Sequence, residues 1–471
     1  MGLVSLPLHI WDRELDSRIL LSALVLSDDH QIILGHEYNI SPIYKNIGHV
    51  FHYGAGRPVF NEPRTNQWYE PIVANGGFNG LVFEEGVNDI MLNASMSFPG
   101  INTRSVASTS KVFAWCGREV DQMVAAAPEK LAANLRSIST PCSNTRIDIL
   151  GAIGDQYFAK YIESISTIYG DYVLISDNFG LEIFGVGGPL DAASHYKYMT
   201  DQVKRKEMLE FDSIFYEKSK LMRDGFCRAI NEFVRTNPRI NFIFRPHPVA
   251  DPLYWHQNLA PSRNLTILCR DNPVPWIKAA KAVVHAGCTL GLEAELAGVP
   301  SIDITSIYGD NRKESVSSSV STYKPRSISE LNSCLKSSLK QKNISHLSLT
   351  STRFKDILLE NIETLNNHIF DWFDSEAIGF PKISNLSVIS MDYNRFFRHT
   401  PDKPYYSPNF LASMINNSPP LPGKSRYYSA KDIHNRLKSA FKSLNIQKQI
   451  SIAKLSVNNV FLLTPTSNYK K

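Results

Sequence analysis

Short apolar segments alternate with amphipathic helical patterns over the first part of the chain. The run LVSLPLHI at residues 3–10 predicts a buried strand, and residues 12–26 place Leu15, Ile19 and Leu20 on one helical stripe. Further strand-like runs follow at residues 31–34, 48–53, 80–83, 111–115 and 147–151. Strands that alternate with helices are typical of α/β proteins with parallel sheets.

A second series of the same kind begins at residue 172. Its strand-like runs are residues 172–176, 241–245, 265–268, 282–285 and 301–304. A chain of 471 residues is also too long for one core. The predicted divisions are a first Rossmann-like domain at residues 1–168, a second at 169–345, a helical segment packing back on them at 346–395, and a Pro- and Asn-rich linker with a basic helical tail at 396–471.

Positive charge is concentrated at the C-terminal end of the chain. Residues 423–471 hold ten Lys or Arg and one Asp, a net charge of +9, whereas the whole chain carries +5. Residues 430–463 predict a basic helix, because Ile433, Leu437 and Phe441 recur at near-helical spacing. Such a tail suits an anionic membrane surface, and a solvated helix is the alternative. We expect no nucleic-acid partner.

The remaining composition indicates an ordinary globular protein, with 43% hydrophobic and 20% charged residues. No apolar run reaches the roughly 18 residues of a membrane-spanning helix. The N-terminal residues turn polar too early for a signal peptide. The six cysteines have no disulfide or metal-binding spacing, which favours a reducing compartment. We therefore expect a cytoplasmic protein, held on the inner face of the cytoplasmic membrane if the tail binds lipid.

The tetrapeptide Arg-Pro-His-Pro ends the strand-like run at residues 241–245. Ligands of open α/β sheets bind beyond the carboxyl ends of the strands. Arg245 offers a fixed fork of donors for a phosphate or carboxylate, and His247 offers a second donor. The prolines stiffen the loop. We predict an anion-binding element, and a rigid turn with Arg245 in a surface ion pair is the alternative.

A second candidate element is HAGCTLG at residues 285–291, between a strand and a helix. Its small residues let the backbone N–H groups of the helix start face a phosphate. The predicted site residues of this loop are His285, Gly287, Cys288 and Thr289. Glu293 follows one turn later on the same face as Thr289, where its carboxylate can accept from ribose hydroxyls. The alternatives are a core histidine at 285 and a simple helix cap at 289.

The first unit contributes two charged segments at strand ends. Glu84 and Glu85 follow an apolar strand, where two crowded carboxylates suit a general base, and a solvated acidic turn is the alternative. Arg13 and Glu14 follow the first strand and are candidate acceptor contacts, next to a helix start that Asp12 would cap.

The sequence predicts no metal site and no resident cofactor. No Cys or His cluster has ligand spacing, and no Gly-x-Gly-x-x-Gly fingerprint follows a strand. No Asp-x-Asp ends a strand either. We therefore expect a bound phosphate to be held by Arg, His and a helix terminus.

Several of these segments resemble the bacterial surface carbohydrate biosynthesis protein family, which is related to the capsule transferases of Kdo and nonulosonic acids. The opening LPLHIWDRELDSRILLSALVL is similar to that family's first strand and helix. The Glu84-Glu85-Gly86 turn, the Arg-Pro-His-Pro element and the helix before Pro300 also match, over about residues 3–310. The resemblance implies a GT-B fold: two Rossmann-like domains facing a cleft, with a helical basic C-terminal extension.

The resemblance also implies roles for the candidate residues. The second domain would bind the nucleotide-sugar donor, with Arg245 and His247 on its phosphate or sugar carboxylate. Thr289 would hold the phosphate and Glu293 the ribose. Glu85, or else Glu84, would act as base on the acceptor hydroxyl. Cys288 departs from the serine of many relatives, which weakens a phosphate contact there.

These observations lead to the hypothesis of a metal-independent glycosyltransferase of bacterial surface polysaccharide (capsule or O-antigen) biosynthesis. It would transfer a sugar to a glycan or lipid-linked oligosaccharide acceptor. The preferred donor is a CMP-activated ulosonic acid such as Kdo or a nonulosonic acid, because one phosphate and one carboxylate suit an Arg/His pair. The alternatives are a UDP-amino-sugar 2-epimerase and a non-catalytic GT-B-like scaffold for polysaccharide binding or export.

Overall fold

The computed structural model describes residues 3–8, 11–27, 30–40, 44, 50–55, 68–82, 101–114, 117–141, 152–179, 202–247, 252–268, 272–309, 315–340, 428–456 and 460–466. The strands are β1 Leu3–Leu8, β2 Gln31–His36, β3 Phe51–Ala55, β4 Phe78–Val82, β5 Lys111–Ala114, β6 Ser139–Pro141, β7 Tyr172–Ser176, β8 Asn241–Arg245, β9 Leu265–Ile267, β10 Ala282–His285, β11 Ser301–Asp303, β12 Gln449–Ser456 and β13 Val460–Thr466. The α-helices are α1 Trp11–Ser27, α2 Glu37–Ile40, α3 Glu70–Ala74, α4 Thr103–Ala107, α5 Gly117–Ala126, α6 Glu129–Ser137, α7 Ala152–Tyr169, α8 Gln202–Thr236, α9 Pro252–Asn258, α10 Pro273–Ala279, α11 Thr289–Leu296, α12 Val316–Val320, α13 Ile328–Lys340 and α14 Ala430–Ser443.

The first sheet has the strand order β12-β13-β2-β1-β3-β4-β5-β6. Strands β1 to β6 are parallel, whereas β13 runs antiparallel to both β2 and β12. Successive residues of β1 point to opposite faces. Val4 and Leu6 join one buried cluster with Ile433 and Leu437 of α14, and Leu3 joins a separate cluster on the other face. Both faces are covered, which agrees with the largely apolar composition of the parallel strands β1 and β2.

The second sheet has the order β11-β10-β7-β8-β9, and all its strands are parallel. Val173 and Ile175 of β7 pack into one apolar cluster, and Tyr172 and Leu174 pack into another. The two sheets are linked by packing: Leu292 of α11 lies in a cluster with core residues of the first sheet. The predicted α/β fold, with two Rossmann-like sheets of mainly parallel strands, is confirmed by this topology.

The C-terminal segment differs from the prediction. The basic helix is confirmed over α14, but the expectation that it continues to residue 463 is wrong, because Gln449–Ser456 and Val460–Thr466 pair as the antiparallel strands β12 and β13. The alternation in QISIAKLS is a strand pattern that the near-helical spacing upstream obscured. The predicted segments 346–395 and 396–427 lie outside the described residues, and the boundary at residue 168 stays a prediction.

A buried polar cluster fastens α14 to the first sheet's helices. The Asp16 carboxylate of α1 accepts hydrogen bonds from the Tyr157 hydroxyl of α7, at 2.7 Å, and from the Arg436 guanidinium of α14. Burial and the Asp16 charge raise the pKa of Tyr157 well above its ordinary value. The Trp11 and Tyr428 rings stack beside it, with centroids 5.2 Å apart. The tail is therefore built into the first sheet's core rather than lying in solvent.

Among the described helices, none combines the length and the hydropathy needed to cross a bilayer.

Candidate functional site

The carboxyl ends of β7, β8 and β10 lie side by side at one edge of the second sheet. Strand order reverses at β7, because the chain first adds β8 and β9 on one side and then β10 and β11 on the other. Ser176, the last residue of β7, pairs with Arg245 on one side and with His285 on the other. Ligands of open parallel sheets bind at such a reversal. The two elements singled out in the sequence therefore flank one point of the sheet.

Arg245 is held against an aromatic wall. Its side chain is 8% exposed, and the guanidinium carbon lies 5.4 Å from the centroid of the Trp276 ring in α10. Trp276 is itself fixed, because its carbonyl accepts a 2.6 Å hydrogen bond from the Tyr172 hydroxyl. A guanidinium over an aromatic face gains cation–π stabilisation, which fixes the position of Arg245 at the end of β8. The geometry argues against a loose ion pair at the surface.

Asp177 joins the loops that follow β7 and β8. One carboxylate oxygen accepts from the backbone N–H of Phe179 and the other from the backbone N–H of His247, both at 2.8 Å. His247 is half-buried at this position. The predicted Arg-Pro-His-Pro element is thus anchored to the neighbouring strand by a buried acid.

His285 is fully buried, and both ring nitrogens bond to the protein. Nδ1 accepts from the backbone N–H of Gly287 at 3.1 Å, and Nε2 lies 2.8 Å from the Ser321 hydroxyl, which in turn donates to the Ser317 carbonyl. Burial lowers the pKa of His285. A neutral ring with its proton on Nε2 satisfies the whole chain of bonds. This geometry favours the alternative in which His285 is a core histidine that supports the turn after β10.

The loop after β10 makes a sharp turn into α11. Gly287 has a φ of +70°, a left-handed conformation that favours glycine. Cys288 is the N-cap residue of α11, and its thiol points inward at 3.5 Å from the Ser176 hydroxyl. Burial raises the pKa of the Cys288 thiol to about 11, so the group stays neutral. Thr289 then begins the helix with a half-buried side chain. Cys288 is therefore a neutral, buried cap residue rather than a thiolate.

Helix α11 carries two buried carboxylates with different surroundings. Glu293, the predicted ribose contact, is 3% exposed, and that role stays a prediction. Glu295 accepts at one oxygen from the Ser301 hydroxyl at 2.7 Å and from the Thr322 backbone N–H at 2.9 Å. Glu295 thereby fixes α11 to β11 and to the segment after α12.

The serine-rich stretch at residues 315–321 contains a short helix beside the turn at Gly287. Residues Val316–Val320 form α12, and the Ser315 hydroxyl caps it by accepting from the Ser318 backbone N–H at 3.0 Å. This helix packs against the turn at Gly287, where an added Cβ would lie 3.4 Å from the Ser318 hydroxyl. Local serine content indicates a loop, but the cap and the packing outweigh it.

The predicted acceptor residues pair with each other at the start of α1. Arg13 and Glu14 form an ion pair of 3.2 Å, in which Arg13 is 12% and Glu14 1% exposed. Their role as acceptor contacts stays a prediction. Glu84 and Glu85, the predicted general base pair, lie outside the described residues.

Sequence reasoning missed Asp177, Trp276 and Ser321. The sequence contains a usable signal for Asp177, because this acid directly follows a buried strand. Arg245 occupies a comparable position as the last residue of β8. No local sequence pattern identifies Trp276 or Ser321, because their contacts with Arg245 and His285 depend on which elements become neighbours in the fold.

Comparisons with known proteins complete the description. No protein-family model and no curated protein matches the chain. The fold is similar to that of S. aureus MnaA in a structure with UDP, with a TM-score of 0.44, 11% identity, and coverage of 82% of this chain and 100% of that one. It is also similar to the wall teichoic acid polymerase TagF, with a TM-score of 0.43, 9% identity, and coverage of 80% and 88%. A UDP-GlcNAc 2-epimerase from Methanocaldococcus jannaschii has a TM-score of 0.40, 10% identity, and coverage of 73% and 94%.

Proposed function

We propose that the protein is a glycosyltransferase of bacterial surface polysaccharide biosynthesis, with its nucleotide-sugar donor bound at the strand-order reversal of the second sheet. The observation that carries this proposal is the register around Ser176. It sets the Arg245 loop and the start of α11 on either side of one strand end. Two anion-binding elements at one point suit a phosphate together with a second negative group.

In the proposed reaction, the acceptor hydroxyl oxygen attacks the anomeric carbon of the donor sugar. The bond from that carbon to the phosphate oxygen breaks, and the nucleotide leaves with the electron pair. Arg245, His247 and the N–H groups at Thr289 stabilise the charge that develops on the leaving phosphate. Glu85, or else Glu84, takes the hydroxyl proton, and Arg13 and Glu14 contact the acceptor.

A CMP-activated ulosonic acid is the proposed donor. Its single phosphate and its sugar carboxylate give two anionic groups for two separate elements. A UDP-amino-sugar 2-epimerase is the alternative, since UDP would present its phosphates to the same Arg245 loop and helix start. The two differ in one requirement, because a transferase consumes donor only with an acceptor and an epimerase needs none.

A thermal-shift screen with CMP, CDP, UDP, GDP and dTDP tests the proposal. A ligand at 100 times its dissociation constant stabilises the folded state by about 2.7 kcal/mol, enough for a measurable shift. We expect CMP to shift the wild type and Arg245→Ala to remove the shift. Arg239→Ala is the matched control, because Arg239 is exposed just before the amino end of β8.

Each outcome of the screen has a defined meaning. A shift with UDP alone contradicts the CMP donor and favours the epimerase. No shift with any nucleotide contradicts nucleotide-sugar chemistry and favours the non-catalytic scaffold.

We also propose contact with an anionic membrane surface through the outer face of α14. The apolar face of α14 is buried, so this contact is electrostatic and does not insert into the bilayer. Lys431, Lys438 and Lys442 are all exposed on the helix. Co-sedimentation with phosphatidylglycerol vesicles is expected for the wild type and lost on charge reversal of the three lysines. Equal sedimentation of both proteins would contradict the contact.

A further inference from the structure

The buried acid that follows β7 bonds to the backbone of the loop after β8. Pro246 and Pro248 carry no N–H group. The backbone N–H of His247 is therefore the only main-chain donor between them, and it is directed at Asp177 at 2.8 Å. This hydrogen bond ties the loop after β8, at His247, to the residue that follows β7.

The other carboxylate oxygen of Asp177 is engaged in its own loop. It accepts from the backbone N–H of Phe179, also at 2.8 Å, and the Phe179 ring is buried in the core of the second sheet. Asp177 is 1% exposed. A buried carboxylate is stable only where donors compensate its lost hydration, and here both oxygens have a backbone donor. The acid therefore joins two loops rigidly rather than facing solvent.

We propose that Asp177 is the positioning residue of the donor site. Its carboxylate orients the loop after β8 so that the His247 side chain is presented beside Arg245 to the bound anion. The inference rests on the proposed function for the ligand, but its structural part can be tested without one. Asp177 acts through the backbone of His247 and has no role in the chemical step.

Hydrogen–deuterium exchange tests the structural part. In Asp177→Asn, one of the two backbone N–H groups faces an amide NH2 instead of an acceptor. We expect faster exchange in the peptide covering residues 245–249, where Pro246 and Pro248 contribute no amide signal. Asp177→Ser, which removes both carboxylate oxygens, serves as the second variant should the asparagine protein fold poorly. The asparagine can still turn its one acceptor oxygen toward His247, so unchanged exchange in this peptide in Asp177→Ser, where neither carboxylate oxygen remains, would overturn the proposal.

Asp303→Asn is the matched control for that experiment. Asp303 is also buried at a strand end of the same sheet, and it accepts from the backbone N–H and the hydroxyl of Thr305 at 3.0 and 2.9 Å. Its substitution should loosen its own loop and leave residues 245–249 unchanged. An equal effect of both variants on that peptide would mean general destabilisation and would count against a specific role for Asp177.

A double-mutant cycle tests the functional part, with CMP and UDP as the titrated ligands in calorimetry. We expect Asp177→Asn alone to weaken nucleotide binding by about tenfold. Added to His247→Ala, the same substitution should cause no further loss, because Asp177 acts through His247. Additive losses in the double variant would overturn the proposal. A wild type that binds neither nucleotide contradicts the proposed function, whereas the exchange result still decides whether Asp177 positions the loop.

Discussion

The two parallel sheets are completed in different ways. The second sheet is built from strands that follow each other within residues 172–303, and its candidate site lies where their order reverses. The first sheet is finished by a hairpin from the opposite end of the chain. The Gln31 side chain donates to the Thr464 hydroxyl across 433 positions of sequence. The first half is thus stabilised by a distant segment, whereas the second half carries its own strands and loops.

The difference shows that a basic C-terminal segment need not be an independent tail. Its charge lies on the outer face of α14, and its apolar residues are core residues of the first sheet. Pairing between such distant segments has a loop-closure entropy cost, which the contacts of the completed sheet must offset.

The largest expected effect is from deleting residues 428–471. The deletion removes β12, β13 and α14, and with them Leu437, Phe441 and Phe461 from the core. Each buried side chain contributes about 1.5–3 kcal/mol, so the sum approaches the roughly 5–15 kcal/mol of a whole protein. We expect loss of cooperative thermal unfolding by circular dichroism.

Deletion of residues 467–471 alone is the control for that truncation, because it leaves the hairpin intact. A truncated protein that still unfolds cooperatively at the wild-type midpoint would show that the first sheet does not need its C-terminal strands.

Gly291→Ala is expected to destabilise the site-bearing half by a smaller amount. A Cβ at this position would lie 2.3 Å from Nε2 of the fully buried His285 ring. Overpacking of this kind costs about 1–3 kcal/mol, partly offset by the better helix propensity of alanine. We expect a lower midpoint in urea unfolding, and weaker nucleotide binding because the loop below α11 must shift.

Gly117→Ala provides the comparison in the first half. Its added Cβ meets open space at the start of α5, so the midpoint should stay the same or rise slightly. If both alanines had the same effect, steric contact with His285 would not be the cause.

The smallest expected effect is a pH dependence of stability that arises in the second half, from the titration of His285. Burial lowers the pKa of His285 in the folded protein, although the nearby Asp303 charge opposes it. Below the ordinary histidine pKa of about 6.5, the unfolded chain therefore binds more protons at residue 285 than the folded protein does. Stability is therefore fully present above that pH and decreases as the pH falls, by at most about 1.4 kcal/mol per pH unit.

Urea unfolding at pH 7.5 and 5.5 measures this effect against His285→Gln, whose side chain does not titrate. The wild type should lose more stability than the variant between the two conditions. Equal losses would mean that His285 is not held neutral by burial.

The sequence predicted most of the site-bearing half because its patterns are local. A few consecutive residues predict the strand that ends at Arg245, and a few others predict the turn at Gly287. The structure contains both. Asp177 was missed although it directly follows a strand, since no nearby residue shows that it accepts a hydrogen bond from the backbone of His247. His285 was predicted to contact the ligand, whereas its Nε2 bonds to the hydroxyl of Ser321, which is distant in the sequence.

The sequence by itself determined the α/β class, the strand-end position of Arg245 and the turn from β10 into α11. Tertiary structure decided that Arg245 and His285 flank Ser176, that Asp177 holds the loop of His247, and that β13 pairs with β2. The physical reason is that hydrophobic periodicity and turn residues act over a few positions. Strand partners, by contrast, depend on the burial of whole faces, which no short segment encodes.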